Sequence, residues 1–256
     1  MIHPSAIIDP AAVLGKNVSV GAFTIIGADV TIGDDCWVGP HVVMSGPCII
    51  GKQNKIFQFA SIGEAPQDLK YAGEPTLLEI GDRNVIREFV TLNRGTITGN
   101  SKTIIGCDNL IMAYCHVAHD CIVGNHVILA NGASLAGHVE VGDYAILGGF
   151  TLVHQFSQIG SQSFCGMGSI IAKDVPPFST VGGERARTVG INKEGLRRKG
   201  FSAEVIRALH KSYRLLFVSK ATKDEAMEEL QPLIEQFDEV QQFTQFVINS
   251  KRGIAR

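Results

Sequence analysis

An apolar residue recurs at every sixth position through most of the first 175 residues, and no other feature constrains the fold as strongly. The series runs from Ile8 to Ile62, resumes at Ile80 and, after a one-residue slip, ends at Ile171; 23 of its 25 positions are Ile, Leu or Val. The next residue is often glycine, and the fifth is usually small or β-branched. One large and one small inward side chain per hexad predict a short strand and a turn. Residues 8–175 are therefore predicted to wind into a β-helix of triangular coils.

Two segments break the period, and the C-terminal part of the chain has a different one. Residues 63–79 and 96–103 do not fit the hexads and are predicted to be loops that leave the prism. The prism as a whole is expected to span residues 1–190. A small helical domain is predicted over residues 191–256. Its expected helices are marked by Val205, Ile206, Leu209, Leu215, Leu216 and Val218, by the capping pair Thr222 and Glu225, and by Phe237, Val240, Phe243, Phe246 and Val247.

Charge and composition exclude several classes of partner. The net charge of −2 offers no general attraction to nucleic acid or to an anionic membrane. No apolar run approaches the length of a membrane span, and no signal-peptide pattern is present. Cys36, Cys48, Cys115 and Cys121 stand among small apolar residues of the repeat and are expected to be reduced packing residues. We expect a cytoplasmic protein that neither spans a membrane nor binds nucleic acid.

Four of the eight histidines are expected on one outer edge of the prism. His119 is the third residue of a hexad and faces outward, Gly137 and His138 follow one coil above, His154 lies nearly two coils above, and His116 lies at the preceding corner. Such a cluster suits zinc bound by several imidazoles, as in hexapeptide-repeat carbonic anhydrases, or one neutral imidazole acting as a general base toward a hydroxyl. The spacing does not separate these two chemistries. An inert repeat scaffold is a third alternative, but it would need neither the histidines nor the loops.

Eight longer motifs together resemble the UDP-N-acetylglucosamine acyltransferases of lipid A biosynthesis. They are Phe59-Ala-Ser-Ile-Gly-Glu, Gln67-Asp-Leu-Lys-Tyr-Ala-Gly-Glu-Pro, Ile86-Arg-Glu, Arg94-Gly-Thr, His116-Val-Ala-His-Asp-Cys, Leu135-Ala-Gly-His-Val, Val153-His-Gln-Phe and Gly195-Leu-Arg-Arg-Lys-Gly-Phe-Ser. The resemblance covers essentially the whole chain and implies a left-handed parallel β-helix and a homotrimer with active sites between subunits. It also implies transfer of an R-3-hydroxyacyl group from acyl carrier protein to the glucosamine 3-hydroxyl of UDP-N-acetylglucosamine (UDP-GlcNAc), without metal or cofactor.

The resemblance assigns roles to particular residues. His119 would be the general base, Asp120 would orient it, and the Gly137 amide would donate to the thioester oxyanion. The substrate-contacting positions would be Gln67, Asp68, Lys70, His116, His138, His154 and Gln155, with Asn192, Glu194, Arg197 and Arg198 at nucleotide-binding positions. The N-acyltransferase of the same pathway is a close rival, but it carries an additional N-terminal domain, whereas the repeats here begin at residue 8.

Three positions bear on substrate choice. Met167 is an outward third residue at the position that resembles the acyl-chain ruler of the family, about 2.7 coils or roughly 13 Å along the axis from His119. A methionine there is expected to stop a chain of about ten carbons, so a 3-hydroxydecanoyl-like donor is predicted. Two residues depart from the pattern of the family: Lys199 replaces a common arginine, which weakens bidentate phosphate contact, and Asn93 replaces a common histidine.

Overall fold

The structure, a computed structural model, describes all 256 residues. The repeat region is a left-handed parallel β-helix followed by a few C-terminal helices, so the fold class predicted from the sequence is confirmed. Three parallel sheets form the faces of a triangular prism. Within regular coils, a residue pairs with the residue eighteen positions later, as Ile7 does with Ile25. Most of the aliphatic first residues of the hexads, together with small fifth residues, form one buried cluster of 39 residues.

The chain visits the three faces in turn, and we number them in that order. Face 1 contains β1 (Ile7–Ile8), β4 (Ile25–Ile26), β7 (Val43–Met44), β10 (Ser61–Glu64), β13 (Thr91–Asn93), β16 (His116–Val117), β19 (Ser134–Leu135), β22 (Leu152–Val153) and β25 (Ile170–Ile171). Face 2 contains β2 (Val13–Leu14), β5 (Val30–Ile32), β8 (Cys48–Ile50), β11 (Leu77–Ile80), β14 (Lys102–Ile105), β17 (Ile122–Val123), β20 (Glu140–Val141) and β23 (Gln158–Ile159).

Face 3 ends in a short antiparallel hairpin. It contains β3 (Ser19–Val20), β6 (Trp37–Val38), β9 (Lys55–Ile56), β12 (Val85–Ile86), β15 (Leu110–Ile111), β18 (Ile128–Leu129), β21 (Ile146–Leu147), β24 (Phe164–Cys165), β26 (Ser179–Gly182) and β27 (Arg187–Ile191), the last antiparallel to β26. The edges between faces are called corner 1/2, corner 2/3 and corner 3/1.

The corners turn mainly on the fourth residue of the hexads, which has a positive φ even where it is not glycine. Twenty non-glycine residues have a positive φ, among them Asp120 at 59° and His138 at 62°. The glycines at the second position instead allow coils to approach closely: a Cβ on Gly15 would lie 2.7 Å from the backbone nitrogen of Asp34 in the next coil. Because the fourth residue is left-handed, its side chain leaves the same outer edge as that of the third.

Two detours leave the prism at corner 1/2. In the first, paired residues such as Asn54 and Asn84 stand 30 positions apart, and in the second, Asn84 and Asn109 stand 25 apart, against 18 in regular coils. The first detour therefore adds twelve residues, or two hexads, and keeps the phase of the repeat. The second adds seven residues and causes the one-residue slip in the repeat. The first detour, residues 65–76, is shorter than the loop expected at 63–79, because the flanking residues pair in β10 and β11. The second detour, residues 94–101, is as long as the loop expected at 96–103 but begins and ends two residues earlier, because residues 102–105 pair in β14.

The C-terminal region contains α1 (Lys193–Arg198), α2 (Ala203–Tyr213), a π-helical turn (Arg214–Val218), α3 (Lys223–Gln236) and α4 (Asp238–Asn249). The capping box of Thr222 and Glu225 is present as predicted. Val218 is not on the buried face as expected but is exposed, since it is the last residue of the π-helical turn, which changes the residue period. Every helix of the chain is too short or too polar to cross a bilayer.

Candidate active site

Corner 1/2 holds the pair of residues that defines the site. His119 and Asp120 are the third and fourth residues of one hexad, and the left-handed Asp120 brings the two side chains together. His119 Nδ1 lies 2.8 Å from Asp120 Oδ2, while His119 Nε2 has no hydrogen-bond partner in the chain. Because the carboxylate accepts from Nδ1–H, the ring presents the Nε2 lone pair outward. This tautomer is the one a general base requires.

The second detour encloses the Asp120 carboxylate. Asp120 is 1% exposed and accepts hydrogen bonds from the Thr96 amide, from Thr96 Oγ1 at 2.6 Å and from the Asn100 amide at 2.9 Å. A Cβ on Gly99 would lie 2.4 Å from the carboxyl carbon, so the detour can close around this group only with glycine there. Burial alone raises the pKa of Asp120, but the hydrogen bonds from Thr96 and His119 outweigh it, and the pKa lies below its ordinary value.

This lowered pKa predicts a contribution of Asp120 to stability that depends on pH. The ionised carboxylate stabilises the fold above the pKa of the unfolded chain, about 3.9, and the contribution is lost as pH falls through the lower folded pKa. Melting temperatures measured from pH 6 down to pH 2.5 should therefore fall more steeply in the wild type than in Asp120→Asn. Parallel curves for the two proteins would contradict the prediction.

The zinc alternative can be tested on the donors of the site. His119, Asp120 and His138 form a group whose ligand atoms lie within 4.8 Å of one another. A carboxylate offers about four lone-pair positions, and those of Asp120 are taken by two amides, a hydroxyl and the His119 ring. Two histidines then remain, fewer than the three or four protein ligands of zinc sites. The group is therefore better suited to proton transfer than to metal binding.

Gly137 lies directly above His119. A Cβ on Gly137 would stand 2.6 Å from His119 Cε1 and 2.7 Å from its Nε2, so only glycine leaves space for the ring and for a ligand beside it. The Gly137 N–H donates to no acceptor in the chain. A free N–H beside a free imidazole nitrogen is the arrangement that stabilises an oxyanion next to its base.

The other histidines occupy different positions around this pair. His138 meets the His119 ring edge-on at 5.1 Å and stacks on Phe156 at 4.4 Å, and burial lowers its pKa. His116 does not lie at the corner as expected. It is the last residue of its hexad and therefore lies in β16 on face 1, where its Nδ1 lies 2.7 Å from Thr91 Oγ1 and burial lowers its pKa.

The first detour joins the corner to form a cavity of about 730 Å³. Six of the residues predicted from the sequence line it together: Gln67, Asp68, Lys70, His119, His138 and Gln155. The detour is tied down at its base by Asn93, whose Nδ2 donates to Ala65 O at 2.9 Å, and by Arg94, whose Nη2 lies 3.1 Å from Tyr71 Oη. Asn93 therefore anchors the loop from a buried position.

Of the remaining predicted residues, His154 follows β22 at corner 1/2, and the others lie at other corners of the same chain. Asn192 caps α1 and donates to Gln162 O at corner 2/3, next to Glu194, Arg197 and Arg198 on the exposed side of α1. Met167 is 82% exposed at corner 3/1. Sequence reasoning missed Thr96, Thr103 and Asn100, which hold Asp120; the Thr-Ile-Thr-Gly-Asn-Ser run of the second break, rich in residues that hydrogen-bond locally, was the available signal.

Two family models and many known proteins match the chain. The model described as UDP-N-acetylglucosamine O-acyltransferase, domain 2, matches residues 174–255, and the bacterial transferase hexapeptide model matches residues 102–137. The acyl-[acyl-carrier-protein]–UDP-N-acetylglucosamine O-acyltransferase of Halorhodospira halophila is 55% identical over 255 residues, with 100% of this chain and 99% of the relative covered. The solved structure of LpxA from Acinetobacter baumannii is 47% identical, with a TM-score of 0.96 and 100% and 99% coverage. That of the UDP-N-acetylglucosamine O-acyltransferase of Moraxella catarrhalis is 46% identical, with the same TM-score and coverage.

Proposed function

The chain belongs to the acyl-[acyl-carrier-protein]–UDP-N-acetylglucosamine O-acyltransferases, and from this premise we propose that His119 is the general base of its reaction. The donor is an R-3-hydroxyacyl thioester of acyl carrier protein, and the acceptor is the glucosamine 3-hydroxyl of UDP-GlcNAc. The reaction is the first step of lipid A biosynthesis. The observation that carries the proposal is the His119–Asp120 hydrogen bond of 2.8 Å, which leaves Nε2 as a free base at the corner.

The proposed reaction accounts for each proton and bond. His119 Nε2 takes the proton of the 3-hydroxyl while the sugar oxygen attacks the thioester carbonyl. The new C–O bond places negative charge on the former carbonyl oxygen, which accepts from the Gly137 N–H; such a donor contributes about 3–4 kcal/mol to the transition state. The C–S bond then breaks, and the imidazolium returns its proton to the leaving sulfur. Asp120 stays ionised and stabilises the imidazolium.

An assay of donor and product tests the function as a whole. Purified protein is supplied with UDP-GlcNAc and a series of R-3-hydroxyacyl carrier proteins, and the products are identified by mass and by alkaline hydrolysis of the ester. We expect one acyl chain added to the sugar through oxygen. A series without acylated sugar would contradict the proposal.

The position of Gly137 leads to a prediction about the base. Gly137→Ala places a methyl group against the His119 ring and displaces Nε2, and misplacement of a reacting atom by about 1 Å costs roughly 100-fold in rate. We expect kcat to fall by about that factor with little change in melting temperature, because Gly137 has an ordinary φ. Gly27→Ala is the control: Gly27 lies at the same corner four coils below His119 and outside the cavity, and the added Cβ would meet only Met44 O at 3.2 Å and Ser45 Cα at 3.9 Å. Equal kcat values for Gly137→Ala and the control would contradict the prediction.

A homotrimer with active sites between subunits would complete the site. Exposed large apolar side chains concentrate on face 1 and corner 3/1, and a continuous patch of this kind marks a protein interface; they are Ile7, Ile25, Val43, Leu152 and Ile170 on the face and Phe23, Phe59, Phe89, Tyr114, Phe150 and Met167 at the corner. If corner 3/1 of one subunit faces corner 1/2 of the next, Met167 lies above the base of the neighbouring subunit, on the same side of the cleft as the acyl chain. Sedimentation of the purified protein tests the trimer.

Two further features bear on the setting of the enzyme. All six cysteines are free, and five are buried, including the four expected to be packing residues. Free thiols in this number are typical of a reducing compartment, which supports the cytoplasmic location proposed here. The proposed mechanism assigns no step to a metal or cofactor.

A further inference from the structure

We propose that residues 250–256, the C-terminal tail, form part of the active site, and that Arg252 is a positioning residue which holds the His154 ring with its proton on Nε2. The proposal rests on the proposed function, because His154 gains its importance from the corner that carries the base. Its own support comes from contacts between parts of the chain that are 98 residues apart in sequence.

The tail is fixed to the upper end of corner 1/2 through Asp174, which is 2% exposed. Ser250 Oγ donates to Asp174 Oδ2 at 2.6 Å, the Asp174 amide donates to Gly253 O at 3.0 Å, and the Ala255 amide donates to Asp174 O at 2.9 Å. Asp174 Oδ1 also accepts from the Gln158 amide at 2.9 Å. Ile254 and Ala255 are buried. The backbone on both sides of Arg252 is therefore held independently of the Arg252 side chain.

The Arg252 guanidinium makes two contacts with the coils. Its Nε donates to Ala172 O at 2.9 Å, and its Nη2 lies 2.6 Å from His154 Nδ1. A guanidinium has only donors, so Nδ1 must be the acceptor. The neutral ring then carries its proton on Nε2, and the 3.1 Å approach of Nδ1 to Gln155 O is not a hydrogen bond.

This arrangement determines what His154 can bind. With Nδ1 occupied, Nε2–H is the only hydrogen-bonding group that the ring offers to a substrate, so it donates to an oxygen and does not accept a proton. The positive charge of Arg252 behind the ring favours an anionic oxygen such as a phosphate. The side chain of Arg252 also lines a cavity of about 590 Å³ with His138 and Asp120, which joins the tail to the catalytic pair. The phosphate would belong either to the nucleotide or to the prosthetic arm of the carrier protein.

Substitution of Arg252 tests the proposal by two readouts. Nitrogen-15 spectra of imidazole-labelled protein should show His154 with its proton on Nε2 in the wild type. In Arg252→Met we expect a mixture of the two tautomers. Arg252→Lys should retain the Nε2–H form, because lysine again has only donors. We expect kcat/KM of Arg252→Met to fall about 10- to 100-fold, the range expected for one charge-assisted hydrogen bond. A rise in KM for UDP-GlcNAc would identify the nucleotide phosphate, and a rise in KM for the acyl carrier protein would identify the prosthetic arm.

Two further variants separate positioning from folding. In a His154→Ala background, Arg252→Met should cause no additional loss, because the two residues act as one unit. Arg256→Met removes the same charge from the same tail, where Arg256 instead donates to Leu216 O, and should leave the His154 tautomer unchanged. A wild-type ring protonated on Nδ1, or losses that multiply in the double variant, would overturn the proposal. The tautomer is measured without substrate, so it tests this arrangement even if the acyl-transfer assay fails.

Discussion

His119→Ala is expected to lower kcat for acyl transfer by about 10²- to 10⁴-fold, the contribution of a positioned general base. The substitution removes the imidazole ring whose tautomer Asp120 fixes and whose Nε2 is free to accept a proton. The side chain lies outside the aliphatic ladders, and Asp120 keeps its hydrogen bonds from Thr96 and Asn100, so the melting temperature should change little. Turnover of the preferred acyl donor with UDP-GlcNAc is the measurement, with the circular dichroism spectrum recorded to verify the fold.

The matched control for this substitution is His126→Asn. His126 lies at corner 2/3, stacks on Tyr144 at 4.6 Å and has no part in the proposed chemistry; asparagine tolerates its left-handed φ of 55°. Its kcat should stay within about twofold of the wild type. If His119→Ala also retained wild-type turnover, another group would have to accept the proton, and the proposed mechanism would be wrong.

Met167→Gly is expected to shift the preferred donor from about ten carbons to about fourteen. Met167 is exposed at corner 3/1, where the proposed trimer places it above the base of a neighbouring subunit. Removing its side chain opens the end of the acyl channel. Four additional methylene groups, each worth about 0.8 kcal/mol when buried, correspond to roughly 200-fold in the ratio of kcat/KM values for the two donors.

The control for chain length keeps the volume of the side chain. Met167→Leu should preserve the preference of the wild type, because leucine fills nearly the same space. The measurement is competition between 3-hydroxydecanoyl and 3-hydroxytetradecanoyl carrier proteins, with products separated by mass. A glycine variant with the preference of the wild type would refute the role of Met167 as a ruler and leave the role of His119 unaffected.

The sequence was sufficient for the prism because its information is periodic and local. Every hexad repeats the same division between an inward aliphatic residue and outward neighbours, so the ladders and the outward direction of His119 followed from counting. The same counting placed Gly137 one coil above His119, and in the structure a Cβ at this position would overlap that ring. The capping box at Thr222 was equally local.

The parts that the sequence did not predict depend on contacts between distant residues. Nothing periodic connects Thr96 with Asp120, although their hydrogen bonds enclose the carboxylate. His116 was expected at the preceding corner but is the first residue of β16, since the repeat does not state where a two-residue strand begins. The contact of Arg252 with His154 depends on the path of the whole helical region between them. Such contacts form only when the prism has already placed both partners.

The two detours at corner 1/2 have a consequence for how such an enzyme can diversify. On each side of a detour the strands pair with the same neighbours as in an uninterrupted coil. The strand register is therefore independent of the length and sequence of the detour. Lengthening a loop adds a closure cost that grows only with the logarithm of its length. New substrate contacts can therefore be gained by altering residues 65–76, while the spacing between the base and the oxyanion donor stays constant.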